Sequence, residues 1–365
     1  MPYSHAAVFA EVGRPLQIQP FELPDELPPG AMLCRVLMST ICGSDLHTIF
    51  GRRTEPTPLI LGHEILGEIV AMGEPLANRY AETPLNIGDR VTWSVAVSCG
   101  SCFYCSKNLP QKCETLRKYG HTSCQESPAL TGGYAEHIYL FPGTAVYRVP
   151  EVIPDEVAVP ANCALSTAIN AKEMIRFQAS ETVLIQGAGM LGLNLAAICK
   201  EAGAAKVVVT DIDPDRLALA TKFGADACFN VVDGDPKKWA AAIRDLTGGY
   251  GLDVAFEVSG SRAAVPQAIE ALRIGGRYLV AGLVSPGNDL GIDGNLLSRK
   301  CLTITGIHNY RPDHLLQGLR FLEQNAKKYP FADLVSSRFS LNDINQAIEA
   351  AATGEHVRVA VCPSL

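Results

Sequence analysis

The stretch Val183–Gly203, VLIQGAGMLGLNLAAICKEAG, decides the fold. Three apolar residues and Gln186 read as a buried strand, and a G-x-G-x-x-G run at Gly187, Gly189 and Gly192 opens what reads as a helix that stops at Gly203. The triplet alone is weak evidence. Strand before and helix after is the setting in which it binds a dinucleotide. Gly187 permits the tight turn, Gly189 lets the backbone approach the pyrophosphate at the helix N-terminus, and Gly192 lets helix and strand pack closely.

Downstream, the alternation continues. KVVVTD and LDVAFEVSG read as strands, PDRLALATKFG, KKWAAAIRDLTG and RAAVPQAIEALRIG as helices, GRYLVAG as a strand, and KCLTITGI closes the series. This pattern predicts a doubly wound parallel sheet. Asp211 lies nineteen residues beyond Gly192 at a strand end, where a carboxylate hydrogen-bonds the adenine ribose and repels a 2′-phosphate. NAD is therefore expected over NADP, although Arg216 is placed to reach a ribose hydroxyl or a 2′-phosphate. The bland reading of Asp211 is a turn cap.

Upstream, the texture differs. Residues 1 to about 150 are rich in Gly, Pro and short apolar runs such as MLCRVLM and DRVTWSVAV, which predicts an irregular, mainly-β domain. After the alternation come two helical patterns, PDHLLQGLRFLEQN and LNDINQAIEAAATG, and a strand VRVAVC, expected to return to the first domain. The expected domains are 1–163 with 309–365, and 164–308.

A chain of 365 residues exceeds what one core usually serves. A net charge of −7 and the lack of a basic stripe argue against a nucleic-acid partner, and no apolar run suffices for a membrane span. The start shows no export signal, which points to the cytoplasm. Twelve cysteines in such a chain are not read as a disulfide framework.

Four of them, Cys99, Cys102, Cys105 and Cys113, fall within CGSCFYCSKNLPQKC. Four thiolates suit a closed structural zinc. An iron–sulfur cluster also takes four, but here the last gap is seven residues and no Pro follows. Free or redox thiols are the remaining alternative. A zinc with four protein ligands leaves no place for a substrate, so it would be a staple. A working metal would need an open position, and Cys42, His63 and Cys163 would supply a Cys2His set. Spacing does not show that these three meet; singly, each reads as a buried cysteine or a satisfied histidine.

The combination is more specific than its parts. CGSDLH, LGHEILGEIVAMG, IGDRV, the four-cysteine lobe, GGYAEH, Cys163 and the glycine run stand in one order along nearly the whole chain. The chain resembles the zinc-dependent medium-chain dehydrogenase/reductase superfamily, alcohol dehydrogenase type. The resemblance implies a GroES-like catalytic domain with a Rossmann NAD-binding domain, an α/β architecture. It implies a catalytic zinc on Cys42, His63 and Cys163 and a structural zinc on the lobe. It implies Ser44 and His47 as a proton relay, Asp45 as the carboxylate orienting His63, Glu64 as an acid near the metal, and Thr167 and Leu191 beside the nicotinamide. The implied reaction ionises an alcohol on zinc and passes hydride to NAD+, giving an aldehyde or ketone. A small-molecule substrate and a homodimer or homotetramer follow as family expectations.

Two stretches bear on the substrate. FGRRTEPTP places Arg52 and Arg53 after His47, and TGIHNYRP places His308 near a substrate-facing loop of this family. These stretches, with TWSVAVSCGSC and LPQKCETLRKYGH, resemble a subgroup associated with phosphonate catabolism. If Arg53 and His308 point inward, an anionic alcohol such as a hydroxyalkylphosphonate fits. If they face solvent or cofactor, a neutral secondary or cyclic alcohol fits as well. Polyol dehydrogenases often carry an acid where Cys163 stands, so cysteine leans towards the alcohol dehydrogenase arrangement. The rivals are a zinc-free quinone or enone reductase, which lacks the metal ligands, and a zinc-stapled NAD-binding protein without alcohol chemistry.

Overall fold

A computed structural model describes residues 3–75, 84–232 and 236–365. The chain divides into two compact units, Met1–Cys163 with Tyr310–Leu365, and Ala164–Asn309. Asn309 falls with the second unit.

Among the described residues the second unit carries six strands, in chain order Thr182–Gln186, Lys206–Asp211, Ala227–Asn230, Leu252–Glu257, Leu272–Val280 and Thr303–Gly306. All neighbours are parallel, and the spatial order by chain rank is 3-2-1-4-5-6. That is the doubly wound dinucleotide-binding sheet. Helix Met190–Glu201 starts at Gly189 and is buried over nearly its whole surface, as its apolar sequence demands. A Cβ on Gly192 would lie 1.8 Å from the Gly187 carbonyl oxygen, so only glycine allows this helix to leave the strand here.

Two details differ from the sequence pattern. The helix expected over RAAVPQAIEALRIG ends at Ala271, because Leu272 turns extended and pairs with Leu252. Backbone pairing overrides the helical period there. The short strand Ala227–Asn230 was not signalled, since four half-buried residues carry too little alternation.

In the first unit, the longest sheet runs through Val146–Arg148, Arg90–Trp93, Glu64–Met72, Met32–Thr40, Arg358–Cys362 and Val335–Ser340, with His137–Leu140 also on Met32–Thr40. Strand Met32–Thr40 lies antiparallel to Glu64–Met72 with Thr40 opposite Glu64. This register brings the chain leading to Cys42 beside the chain leaving His63. Strand Arg358–Cys362 pairs Ala360 with Thr40, so the tail reaches the same corner. Trp93, Ile65, Ile69, Val36 and Tyr119 fill the core on one side of this sheet. No described helix is long and apolar enough to cross a membrane.

Candidate metal centre and nucleotide site

The corner where these strands end holds the three dispersed ligand candidates. Helix Gly43–Ile49 begins at Cys42, and Asp45 at its third position turns back to cap it. The Asp45 Oδ2 accepts from the Cys42 backbone N–H at 2.9 Å, and its Oδ1 from the Gly62 N–H at 3.4 Å. The same Oδ1 lies 3.3 Å from His63 Nδ1. One fully buried carboxylate thus fixes both chain segments and leaves His63 Nε2 facing inward. The third segment arrives through Asn162. Its Nδ2 donates to the carbonyls of His63 and Trp93, both at 3.1 Å, which places Cys163 over the histidine.

Donor atoms of Cys42, His63, Glu64 and Cys163 all lie within 4.8 Å of one another. The Cys163 Sγ is 3.5 Å from His63 Nε2. Bonds of about 2.3 Å to sulfur and about 2.0–2.1 Å to nitrogen give a tetrahedral edge of roughly 3.5 Å, so the spacing fits zinc. The charge fits as well. The Cys42 thiol is held well below its usual range, first by its hydrogen bond with Cys163, and the Cys163 thiol is pushed up by the same contact and by burial. Burial disfavours a charged His63, yet Asp45 and Cys42 outweigh it and raise the ring to about 10. A metal ion would replace these protons, drawing both thiols into the thiolate form and the imidazole into the neutral form, so the donor set is one that a divalent cation suits.

Glu64 is held back from this set. Arg358 clasps it through Nε at 2.8 Å and Nη2 at 3.0 Å, and the Thr40 hydroxyl donates at 2.5 Å. Arg358 Nη2 also lies 3.6 Å from Cys42 Sγ. Sequence reading missed Arg358, which sits 294 residues from Glu64. Ser44 Oγ lies 3.4 Å from His63 Nε2, and His47 is one turn on in the same helix. Burial, then Arg52, holds the His47 ring below its ordinary value, and among the described residues its Nδ1 is buried without a partner.

The lobe is built differently. The sulfurs of Cys99 and Cys105 are 4.0 Å apart and those of Cys102 and Cys113 3.8 Å, with all four within 4.8 Å of one another. A tetrahedron of Zn–S bonds of about 2.3 Å has edges of roughly 3.8 Å. Backbone N–H groups of Cys102 and Ser101 point at Cys99 Sγ, at 3.3 and 3.5 Å, and lower its thiol to about 5.

In the second unit, Asp211 Oδ2 accepts from the Ala188 N–H inside the glycine turn at 2.6 Å, and Oδ1 from Ile212 and Asp213. The carboxylate therefore sits at the glycine turn. Arg216 faces Asp213 at 3.6 Å. Thr167 and Leu191 are half-buried near the starts of helices Ala164–Met174 and Met190–Glu201. His308 is an exposed residue of this unit, after strand Thr303–Gly306. In the first unit, Arg52 is exposed and Arg53 pairs with Glu55 at 2.6 Å.

Comparisons with known proteins show the family and the fold. The family described as alcohol dehydrogenase GroES-like domain matches residues 28–151, and the family described as zinc-binding dehydrogenase matches 191–324. An erythritol/L-threitol dehydrogenase of Mycolicibacterium smegmatis is 32% identical over 92% of this chain and 91% of its own. A 5-exo-hydroxycamphor dehydrogenase of Pseudomonas putida is 29% identical over the full length of both. Among solved structures, an alcohol dehydrogenase of Thermotoga maritima superposes with a TM-score of 0.93, at 33% identity and 99% coverage of each chain.

Proposed function

The chain belongs to the zinc-dependent medium-chain dehydrogenase/reductase superfamily, alcohol dehydrogenase type, and from that premise we propose that it oxidises a small-molecule alcohol to an aldehyde or ketone with NAD+. The observation that carries this reading is the convergence of Cys42, His63 and Cys163 on one buried corner with a zinc-like spacing. Zinc bound there supplies a Lewis acid that lowers the pKa of an alcohol hydroxyl, and the nicotinamide supplies the hydride acceptor.

The residues do the rest. Asp45 accepts from His63 Nδ1 and so keeps Nε2 free as a ligand. Ser44 Oγ takes the proton leaving the alcohol and hands on its own. His47, kept neutral by burial and by Arg52, accepts it on the way to solvent. Glu64 stands in reserve beside the ligands, where it can exchange with a departing group. The lobe cysteines hold a second zinc as a staple. Gly187, Gly189 and Gly192 receive the pyrophosphate, and Thr167 and Leu191 border the nicotinamide. Asp211 takes the adenine ribose and disfavours a 2′-phosphate, since Arg216 is turned to Asp213. Alcohol and polyol relatives support an alcohol substrate. A homodimer or homotetramer is carried over as the family expectation.

The test is nicotinamide reduction on a panel of secondary alcohols with NAD+ and with NADP+, before and after dipicolinate chelation. The expected result is NAD+ reduction that chelation abolishes and Zn2+ restores. No reduction by zinc-loaded protein would favour the zinc-stapled NAD-binding reading.

A further inference from the structure

We infer that Glu257 is a positioning residue for the nicotinamide half of the cofactor, which it serves by fastening together the loops on that side of the nucleotide crevice. This deepens the proposed function and rests on its nucleotide site. The order of the parallel sheet reverses between strands Thr182–Gln186 and Leu252–Glu257, and a dinucleotide lies across the crevice outside their carboxyl ends. On one side of that point stands strand Lys206–Asp211, which ends in the carboxylate assigned to the adenine ribose. The nicotinamide half therefore falls to the loops after Leu252–Glu257 and Leu272–Val280, on the other side.

Glu257 joins these loops. It is the last residue of its strand, pairs in register with Gln186 and is fully buried. Its Oε1 accepts from the Ser259 N–H at 2.8 Å, the Ser259 hydroxyl at 2.9 Å and the Gly260 N–H at 2.7 Å. Its Oε2 accepts from the Gly282 N–H at 3.0 Å, in the loop after the neighbouring strand. Donors facing both oxygens suit a carboxylate, which only accepts. Every donor that the described residues offer it is neutral. An acid buried on neutral donors alone is a costly way to close a turn, and what it secures is a single arrangement of the groups around it. Those groups are closely packed. A Cβ on Gly282 would lie 2.6 Å from the Gly260 nitrogen and 2.8 Å from Glu257 Oε2. A Cβ on Gly187 would lie 2.9 Å from Ser259 Cα. One side chain thus sets two loops of the nicotinamide side against each other and against the glycine turn.

The experiment measures, by calorimetry, the dissociation constants of NAD+, NADH and ADP-ribose on zinc-loaded wild type, Glu257→Gln and Ser259→Ala. ADP-ribose carries the adenine half, the pyrophosphate and the second ribose but lacks the nicotinamide ring. Glu257→Gln keeps the shape but puts an NH2 donor where one oxygen accepted, against N–H groups that are themselves donors. It should weaken NAD+ and NADH at least about tenfold and leave ADP-ribose within about twofold of wild type. Ser259→Ala removes the hydroxyl bond alone and should weaken NAD+ and NADH about threefold, with the same selectivity. A residue that only held the fold together would not give this selectivity. Equal weakening of all three ligands overturns the inference, and so does undiminished binding of NAD+ and NADH. If Glu257→Gln does not fold, Ser259→Ala decides by the same two criteria. If wild type binds none of the three, the nucleotide reading itself fails and the inference with it.

Discussion

The two cysteine clusters of the first unit offer zinc the same thiolate chemistry in opposite settings. The lobe is local. Its four sulfurs come from fifteen consecutive residues, three of them exposed or half-buried, and its own backbone N–H groups stabilise the thiolate of Cys99. The corner of Cys42, His63 and Cys163 is dispersed over 121 residues and surrounded by buried charge, with Asp45, Glu64 and Arg358 all within reach. A closed set of four ligands can only fasten a loop. A set of three, with a carboxylate behind one ligand and a clasped carboxylate beside it, can exchange a fourth group. On the proposed reading, charged support is what separates a working metal from a staple in this chain.

Breaking that support at Arg358 should have the largest effect on stability. Arg358→Ala leaves Glu64 fully buried without its partner, a cost of about 3–5 kcal/mol. Burial already raises the Glu64 pKa, and loss of the guanidinium raises it further. The deficit relative to wild type should thus be greatest near neutral pH and shrink as pH falls and Glu64 takes up a proton. Denaturant melts across pH check this; a pH-independent deficit would mean lost packing alone. Among the described residues no buried carboxylate stands beside the lobe, so a charge swap there, Lys112→Glu, should move stability far less.

A smaller effect is expected at Asp45. Asp45→Asn keeps the shape but weakens the hold on His63 Nδ1, and zinc affinity at the corner should fall about 10–100-fold while the lobe keeps its metal. Competition with a chelator read by a zinc dye resolves the two sites. Equal loss from both would erase the distinction drawn above.

The smallest effect concerns protons. His47 sits below its ordinary value of about 6.5 because of burial and Arg52. As a proton acceptor it works above its pKa, so the rate should fall only at acidic pH. Arg52→Ala removes a repelling charge, raises the His47 pKa and should move the acid limb of the pH–rate profile upwards. A downward shift would contradict the relay.

The same contrast explains what the sequence revealed. The lobe and the glycine turn were legible because their geometry is written in adjacent residues. Asp211 was legible because strand and helix periods place it. That Cys42, His63 and Cys163 meet was not legible from spacing, which does not bring position 163 to position 63; residue type suggested the set and the family resemblance implied it. Arg358 was invisible, because a single arginine at the head of the last strand looks like an edge residue until the register with Met32–Thr40 is known. Arg53 was noticed for its charge, but its pairing with Glu55, two residues on, is a side-chain geometry that composition does not encode.

The most direct test of the central claim counts zinc per chain in wild type, Cys163→Ala and Cys102→Ser, with NAD+ reduction measured on the same preparations. The account predicts two zincs and activity in wild type. Cys163→Ala should hold one zinc and lose at least roughly 10³-fold in rate, because the Lewis acid is gone. Cys102→Ser should lose the lobe zinc and keep NAD+ reduction. Retention of full activity by Cys163→Ala, or its loss with the metal of the lobe alone, would contradict the assignment of the working metal to the dispersed corner.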